Sequence, residues 1–545
     1  MPDDNADQPH GNRTESMTLR FSDMAYGGEA VGRDPATGMA VFAWPAIEGE
    51  EATVVVTGKR KNLLRGLVAE VRSPSPLRVT PPCPYFGRCG GCQWQHIEYR
   101  GQANFKHHIL RAQLQRIGGL PDPDPLLRPP VVSPRDFHYR NTSHFAIEPA
   151  SLTLGYFKRE SHQIIAVESC PISNRGINGA IRLVNTLIAR CIWTGVDTPD
   201  REHKGIMQVW KVAVRASERT GHLAIVLHSR PGGRAVALAG VRTGRPSAAH
   251  PDGRPDSGPG PDEGHQPGAN PIVSIRRRDV RKALQALART GTGTDTGPEP
   301  PITVVEVMDD GTVNLLGETR AASLVTSEAL ADLLAGEPLK SRAKDEEQAA
   351  PVRHGPPRGA WVERLAGRTY WVAPDSFFQV NTEAADLLLA EVAEHVPPGV
   401  DLLVDAHAGV GTFAIALANR AKRVVGFEVD GAAVHSSRWN ALANNVAHAD
   451  FRRGRAEDLM ARLPAGERPD LVLLDPPRSG CHPSLLAEII SRQVPRIVYV
   501  SCDPGTLARD IKILATAYDL ASARVVDLFP QTYHIETVAV LERRP

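Results

Sequence analysis

The chain has 545 residues, with 63 Lys and Arg against 62 Asp and Glu and a formal net charge of +1. That length exceeds one ordinary hydrophobic core, so three or four domains are expected, and the near-zero charge excludes a global field, so any nucleic-acid surface must be local. No apolar run is long enough for a bilayer, the polar N-terminus lacks a signal-peptide pattern, and seven cysteines do not make a disulfide framework in so long a chain, so a cytoplasmic protein with no membrane partner is expected.

Residues 1–16 read as a disordered tail. Residues 17–78 change to short alternating strands broken at Gly27-Gly28 and Asp34-Pro35, the pattern of a small β-barrel of the oligonucleotide-binding kind. Lys59, Arg60, Lys61, Arg65 and Arg72 lie on or beside its last two strands, as a patch for phosphates or as charges protecting a strand edge.

Cys83, Cys89 and Cys92 follow, spaced C-x5-C-x2-C around glycines. Three cysteines within ten residues can wrap one metal centre, and Cys170, followed by Pro171, is the best candidate for a fourth ligand. Zinc bound by four cysteines is the competing choice. Zinc ribbons usually use two C-x2-C knuckles and only one is present, so the spacing favours an iron–sulfur cluster. Residues 79–372 form a central, β-rich domain: a helix over 101–120, strands over 137–147, 152–160 and 205–230. Arg140 and Asn141 are either RNA contacts or strand-end hydrogen-bonding groups. Cys191 lies in an apolar helical pattern and reads as core. Stretches 241–270, 289–301 and 336–358 are too rich in Gly, Pro and polar residues for a core and read as insertions. Between them, the pieces around 302–317 and 360–373 should rejoin the central domain. The run Arg276-Arg277-Arg278 should open a helix.

From 373 to 545 strands and helices alternate, as in a doubly wound, Rossmann-like α/β domain. Expected are a strand over 401–406, a helix over 411–421, a strand over 423–428, a helix over 431–445, and strands over 470–474, 496–501, 523–528 and 536–541. Ligands of such a sheet sit beyond the C-terminal strand ends. There an apolar run ends at Asp405 and turns through Gly409 and Gly411, which let the backbone approach a ligand. Glu428 ends the second strand, where an acid can hold ribose hydroxyls. Asp475 precedes two prolines, and Cys502 follows a strand near a helix start at about Gly505, well placed to be a thiolate nucleophile. Cys481 is a rival with no base nearby in sequence.

Together the stretches CPYFGRCGGCQWQH, DSFFQVN, DAHAGVGTF, DPPRSG, SCDPGTLARD and HIETVAVL resemble the RNA uracil-5-methyltransferase family, from about residue 17 to the end apart from the insertions. The N-terminal barrel looks like the TRAM domain of many members. The resemblance implies a [4Fe-4S] cluster on Cys83, Cys89, Cys92 and Cys170. It implies S-adenosylmethionine bound by Gln379, Glu428 and Asp475, Cys502 as nucleophile and Glu536 as base. The partner implied is RNA, with 23S ribosomal RNA favoured and transfer RNA possible, and the protein is expected to be a monomer. The glycine turn departs from the family pattern: His407 stands where an aromatic ring usually packs on the cofactor, and Thr412 where asparagine is frequent. The competing readings are an amino-nitrogen methyltransferase, which needs no cysteine, a non-catalytic RNA-binding protein on the same scaffold, and an iron–sulfur sensor.

Overall fold

The computed structural model describes residues 16–148, 151–191, 206–231, 273–276, 280, 302–308, 313–318 and 355–545. The expected N-terminal tail up to residue 15, most of the three insertions, and Arg277 and Arg278 lie outside these residues; Arg276 ends a strand rather than opening a helix.

Strands β1 (Ser16–Met24), β2 (Ala30–Arg33), β3 (Ala40–Trp44), β4 (Glu51–Arg60) and β5 (Leu63–Ser73) close into a barrel in the order β1-β2-β3-β5-β4. Alternate residues such as Leu19, Phe21, Val41, Ala43, Ala52 and Val54 fill it, which is what a period of two dictates. Helix α1 (Tyr99–Arg116) begins where the Glu98 carboxylate accepts the Gly101 amide at 3.1 Å. It buries Phe105, Ile109, Leu110 and Leu114, and these join the barrel and one face of the C-terminal sheet in one continuous core.

The central sheet uses β7 (Thr142–Glu148), β8 (Thr153–Phe157), β9 (Ile164–Ala166), β10 (Ile206–Ala216), β11 (Leu223–Pro231), β12 (Val273–Arg276), β13 (Ile302–Met308) and β14 (Val313–Glu318). Its order is β14-β13-β11-β10-β7-β8-β9, with β12 on β10, and α2 (Arg175–Cys191) packs on β8 and β10. Cys191 closes α2; its side chain lies outside the described residues.

Two segments depart from expectation. The hairpin of β15 (Trp361–Leu365) and β16 (Arg368–Val372) touches the central domain, where Trp361 donates to the His222 carbonyl at 3.2 Å and the Val362 amide to His222 Nδ1 at 3.0 Å, but it pairs with no strand of that sheet among the described residues. Trp361, Leu365, Tyr370 and Val372 instead enter the core of the catalytic half, because all four are large and apolar and face α3 (Thr382–Glu394) and its neighbours. Conversely β6 (Leu127–Val131), from the central stretch of the sequence, pairs in parallel with β22 (Tyr518–Val526) and forms the edge of the catalytic sheet.

That sheet runs β19-β18-β17-β20-β21-β23-β22-β6. Its remaining strands are β17 (Val400–Asp405), β18 (Ala421–Glu428), β19 (Ala449–Arg453), β20 (Leu471–Leu474), β21 (Arg496–Ser501) and β23 (Glu536–Arg543). The helices are α4 (Thr412–Ala416), α5 (Gly431–Ala443), α6 (Ala456–Ala461), α7 (Pro483–Ser491) and α8 (Pro504–Leu514). β17 to β21 are parallel and β23 is antiparallel to β21. The helix expected over 411–421 is only five residues long and gives way to a 3-10 turn at Ala418–Arg420. No helix among the described residues is long and apolar enough to cross a membrane.

Candidate active site and cysteine centre

The C-terminal edge of the catalytic sheet gathers the titratable groups. β17 ends at Asp405, paired with Gly426 on one side and Leu473 on the other. β20 ends at Leu474, so Asp475 follows at once. β21 pairs with β23 through Ser501 and Thr537; one step further along this register Cys502 stands beside Glu536. Asp405, Asp475, Cys502 and Glu536 thus mark four adjacent strand ends, each strand about 4.8 Å from the next. The chain order reverses between β17 and β20, the crevice where doubly wound sheets take ligands.

The glycine turn sits in that crevice. Gly409 has φ +52° and Gly411 +86°; a Cβ at Gly411 would lie 2.7 Å from Ile415 Cδ1, whereas nothing lies within 4 Å of one at Gly409. The Asp405 carboxylate accepts the Ala414 amide at 3.2 Å through Oδ2, while Oδ1 is buried without a protein partner. Glu428 accepts the Gly409 amide at 2.9 Å and the Asp430 amide at 2.8 Å, one on each oxygen, leaving lone pairs for a further donor. His407 is neutral, its pKa lowered to about 4 by burial, and its Nδ1 has no partner. Gln379 is buried in the turn before α3, its carbonyl accepting from Asn141 Nδ2 at 2.9 Å. Asn141, also bonded to Thr382, is therefore a strand-end hydrogen-bonding group and is only 2 % exposed. Phe377, two residues before Gln379, is 67 % exposed.

Burial raises every acid in the row. Asp405 is pushed up to about 7, with Glu428 adding to the effect, and Asp475 to about 8, with Asp405 adding. Glu536 lies well above the carboxylate range, raised by burial and then by Asp475, with Arg478 opposing. Burial pushes the Cys502 thiol up to about 12, Glu536 and Asp475 adding to the rise and Arg478 opposing it, so the place beside a helix start does not by itself lower it. The start of α8 gives little help because its amides are already taken. Asp503 accepts those of Gly505 and Thr506, both at 2.9 Å. Cys481 packs in the core, 3 % exposed.

Sequence reasoning assigned no role to Arg478, although it lies in the DPPRSG stretch. It is the cation that bears on Cys502, Glu536 and His534 together. His534 opens the HIETVAVL stretch, again without an assigned role, and Tyr533 and Tyr26 had no sequence signal; their rings meet, Tyr533 to His534 at 4.5 Å and Tyr26 to Tyr533 at 5.6 Å.

The second centre is a cavity of about 180 Å³ lined by Cys83, Cys89, Cys92 and Cys170 with Tyr85, Phe86, Arg140 and Tyr156. The Cys89 sulfur accepts the Gly91 amide at 3.4 Å, and the Cys170 amide is held by Asn178 at 2.8 Å. Burial raises the Cys83, Cys89 and Cys92 thiols, Cys89 to about 11. Among the described residues no three of these sulfurs come within 4.8 Å of one another. On the barrel, Lys59, Arg60, Lys61, Arg65 and Arg72 are exposed; Arg65 pairs with Glu29 at 3.5 Å.

The comparisons with known proteins agree with this arrangement. Residues 364–544 match the family model described as tRNA (Uracil-5-)-methyltransferase. An uncharacterized RNA methyltransferase of Gloeobacter violaceus is 29 % identical over 539 residues, covering 97 % of each chain. One from Clostridium tetani is 27 % identical over 534 residues, covering 97 % of this chain and 96 % of that one. The crystal structure of the Pyrococcus abyssi tRNA (uracil-54, C5)-methyltransferase in complex with S-adenosyl-L-homocysteine superposes with a TM-score of 0.57 at 23 % identity, covering 96 % of this chain and 99 % of that one, and shares its fold. Barrel, sheet and matched sequence together define an S-adenosylmethionine-dependent RNA methyltransferase. Within that class, residues 364–544, the catalytic part of the chain, match the RNA uracil-5-methyltransferase family.

Proposed function

We propose that the enzyme methylates C5 of one uridine in 23S ribosomal RNA through a covalent bond from Cys502 to C6, with Glu536 removing the C5 proton. The observation that carries this reading is the register that sets Cys502 beside Glu536, next to Asp475. S-adenosylmethionine, when bound, supplies an electrophilic methyl group on a sulfonium. The unpartnered Asp405 Oδ1 and His407 Nδ1, and the open side of Gly409, fit a ligand of that kind. Gln379, His407, Gly409, Gly411, Glu428 and Asp475 would hold it, Glu428 through the ribose hydroxyls.

Uracil C5 is a weak nucleophile. The target uridine leaves its stack to enter the pocket. Cys502 gives up its proton to solvent before the sulfur adds to C6, and Arg478 is the cation on hand to favour the thiolate. The addition pushes electron density to C5, which takes the methyl group. Glu536 then accepts the C5 proton, the C5=C6 double bond re-forms and the C6–sulfur bond breaks, restoring the thiolate. Burial, which raises the Glu536 carboxyl above the ordinary carboxylate range, makes its ionised form a strong base for that proton.

Cys83, Cys89, Cys92 and Cys170 would hold a [4Fe-4S] cluster. Tetrahedral zinc, with Zn–S about 2.3 Å, needs sulfurs about 3.8 Å apart, closer than any three of them stand. The raised thiols also suit a site whose ligands ionise only on binding a cation. The exposed basic strands of the barrel support contact with the RNA backbone.

The preference for ribosomal RNA rests on the family resemblance alone; the transfer-RNA substrate of the Pyrococcus enzyme with the same fold supports the alternative. Deleting the gene and measuring 5-methyluridine separately in 23S rRNA and tRNA decides between them. Loss from rRNA alone is expected. Loss from tRNA alone overturns the substrate and keeps the chemistry.

A further inference from the structure

Glu536 opens β23 and pairs with Val526, the last residue of β22. The ladder holds it from one side, and the connection 527–535 leads into it from the other. In the middle of that connection Gln531 is 2 % exposed and has φ +69°. A residue with a β-carbon seldom stays in the left-handed region unless its surroundings hold it there.

The hold comes from a distant part of the chain. Gln102, on α1 and fully buried, accepts the Gln531 amide at 2.8 Å through Oε1. Its Nε2 shares two hydrogens among Gln531 Oε1 at 3.0 Å, the Ile97 carbonyl at 2.8 Å and the Trp94 carbonyl at 3.1 Å. The Gln531 carbonyl accepts the Gln93 and Trp94 amides at 3.1 and 3.0 Å. One residue earlier, the Tyr139 hydroxyl donates to the Pro530 carbonyl at 2.9 Å. Gln93 and Trp94 follow Cys92 directly, so the end of the cysteine loop and the first turn of α1 grip the same residue.

We propose that Gln102 is a positioning residue for the uracil-5 reaction: its reciprocal amide pair with Gln531 keeps the connection in the conformation that aims Glu536 at the C5 proton. This rests on the reading that Glu536 is the base. The effect falls on one half of the reaction. Cys502 follows β21, and the turn after it is closed by Ser501 and Asp503 rather than by the connection. Attack at C6 and methyl transfer therefore need Cys502 and the cofactor, whereas removal of the C5 proton and loss of the sulfur need Glu536 in place. Losing the Gln102 bonds lets Gln531 relax out of the left-handed region, and a displaced base costs rate without costing binding.

The test follows a tritium-labelled methyl group from S-adenosylmethionine through a single turnover, with total RNA from the gene-deletion strain as substrate. Label held in a protein–RNA complex on a denaturing gel counts the methylated adduct on Cys502, and label in free 5-methyluridine counts release. Wild type should release promptly, and Glu536→Gln should hold the label in the complex. Gln102→Met, similar in length but without the amide, should transfer the methyl group at the wild-type rate and release it about tenfold more slowly, the effect of about one lost hydrogen bond on a barrier. Gln531→Ala removes only the side-chain half of the pair and keeps every backbone bond; it should show the same shift to a smaller degree, and it carries the test if Gln102→Met does not fold. Release at the wild-type rate in either folded variant overturns the proposal, as does an equal slowing of transfer and release, which general loosening would produce. Absence of the complex with Glu536→Gln would instead sink the reading of Glu536 as the base, which separates the two failures.

Discussion

Lys106 and Asp527 form the most deeply buried ion pair among the described residues, 2.7 Å apart with both side chains at 0 % exposure. Lys106 also donates to the Phe529 carbonyl at 3.0 Å, and Asp527 Oδ1 accepts the Phe529 amide at 3.0 Å, so the pair ties α1 to the connection that leads into Glu536. Burial lowers the Lys106 pKa more than Asp527 restores it. Lys106→Met leaves the Asp527 carboxylate buried, with Oδ2 already lacking a partner. The protein can then keep the charge, at about 3–5 kcal/mol, or protonate the acid. Protonation at pH 7 from an ordinary pKa of about 3.9 costs about 3.1 × 1.36, or ~4.2 kcal/mol. Both routes give about 4 kcal/mol. The acid's folded pKa is then raised above its unfolded value, so the penalty is present at neutral pH and shrinks by about 1.4 kcal/mol per unit as pH falls towards 4. Lys106→Met with Asp527→Asn removes the charge, keeps an acceptor for Phe529, and should recover at least about 2 kcal/mol. Urea unfolding of the three proteins at pH 5, 6 and 7 measures this. A single variant that loses less than about 1 kcal/mol, with no pH trend, refutes the reasoning.

Other consequences follow from the same geometry. At neutral pH Asp405, at about 7, is about half protonated and Asp475, at about 8, largely so. A cationic ligand should release protons from them, so S-adenosylmethionine should bind more tightly as pH rises from 6 to 8.5, by at most about tenfold per unit per proton released. Neutral S-adenosylhomocysteine should show a flatter profile; calorimetry in buffers of different ionisation enthalpy counts the protons. Gly411→Ala places a Cβ 2.7 Å from Ile415 at φ +86°, which should cost about 1–3 kcal/mol and weaken cofactor binding; thermal unfolding with and without cofactor checks it. Cys92→Ser should abolish bound iron and the visible absorption of a cluster, while Cys481→Ser, at a core cysteine, should leave iron content unchanged.

Much of the site was legible because its residues sit at strand ends, where an apolar run followed by an acid or a thiol marks both element and chemistry. Asp475 and Cys502 were singled out this way, whereas Glu536, at the start of β23, came only from the family resemblance. What the sequence hid depends on distant pairing. Nothing local tells that β6 leaves the central region to edge the catalytic sheet, or that the 361–372 hairpin buries Trp361 and Tyr370 with α3. A thiol pKa is likewise not local: the helix start beside Cys502 suggested a thiolate, but burial among acids outweighs it once Asp503 has taken the free amides.

The most direct test of the account is to stop the reaction after methyl transfer. Glu536→Gln enzyme, incubated with substrate RNA and S-adenosylmethionine and digested with nuclease and protease, should yield a peptide in which Cys502 carries a methylated uridine nucleotide by mass spectrometry, with no such mass in Cys502→Ala. A Cys502→Ala enzyme that still produces 5-methyluridine would contradict it.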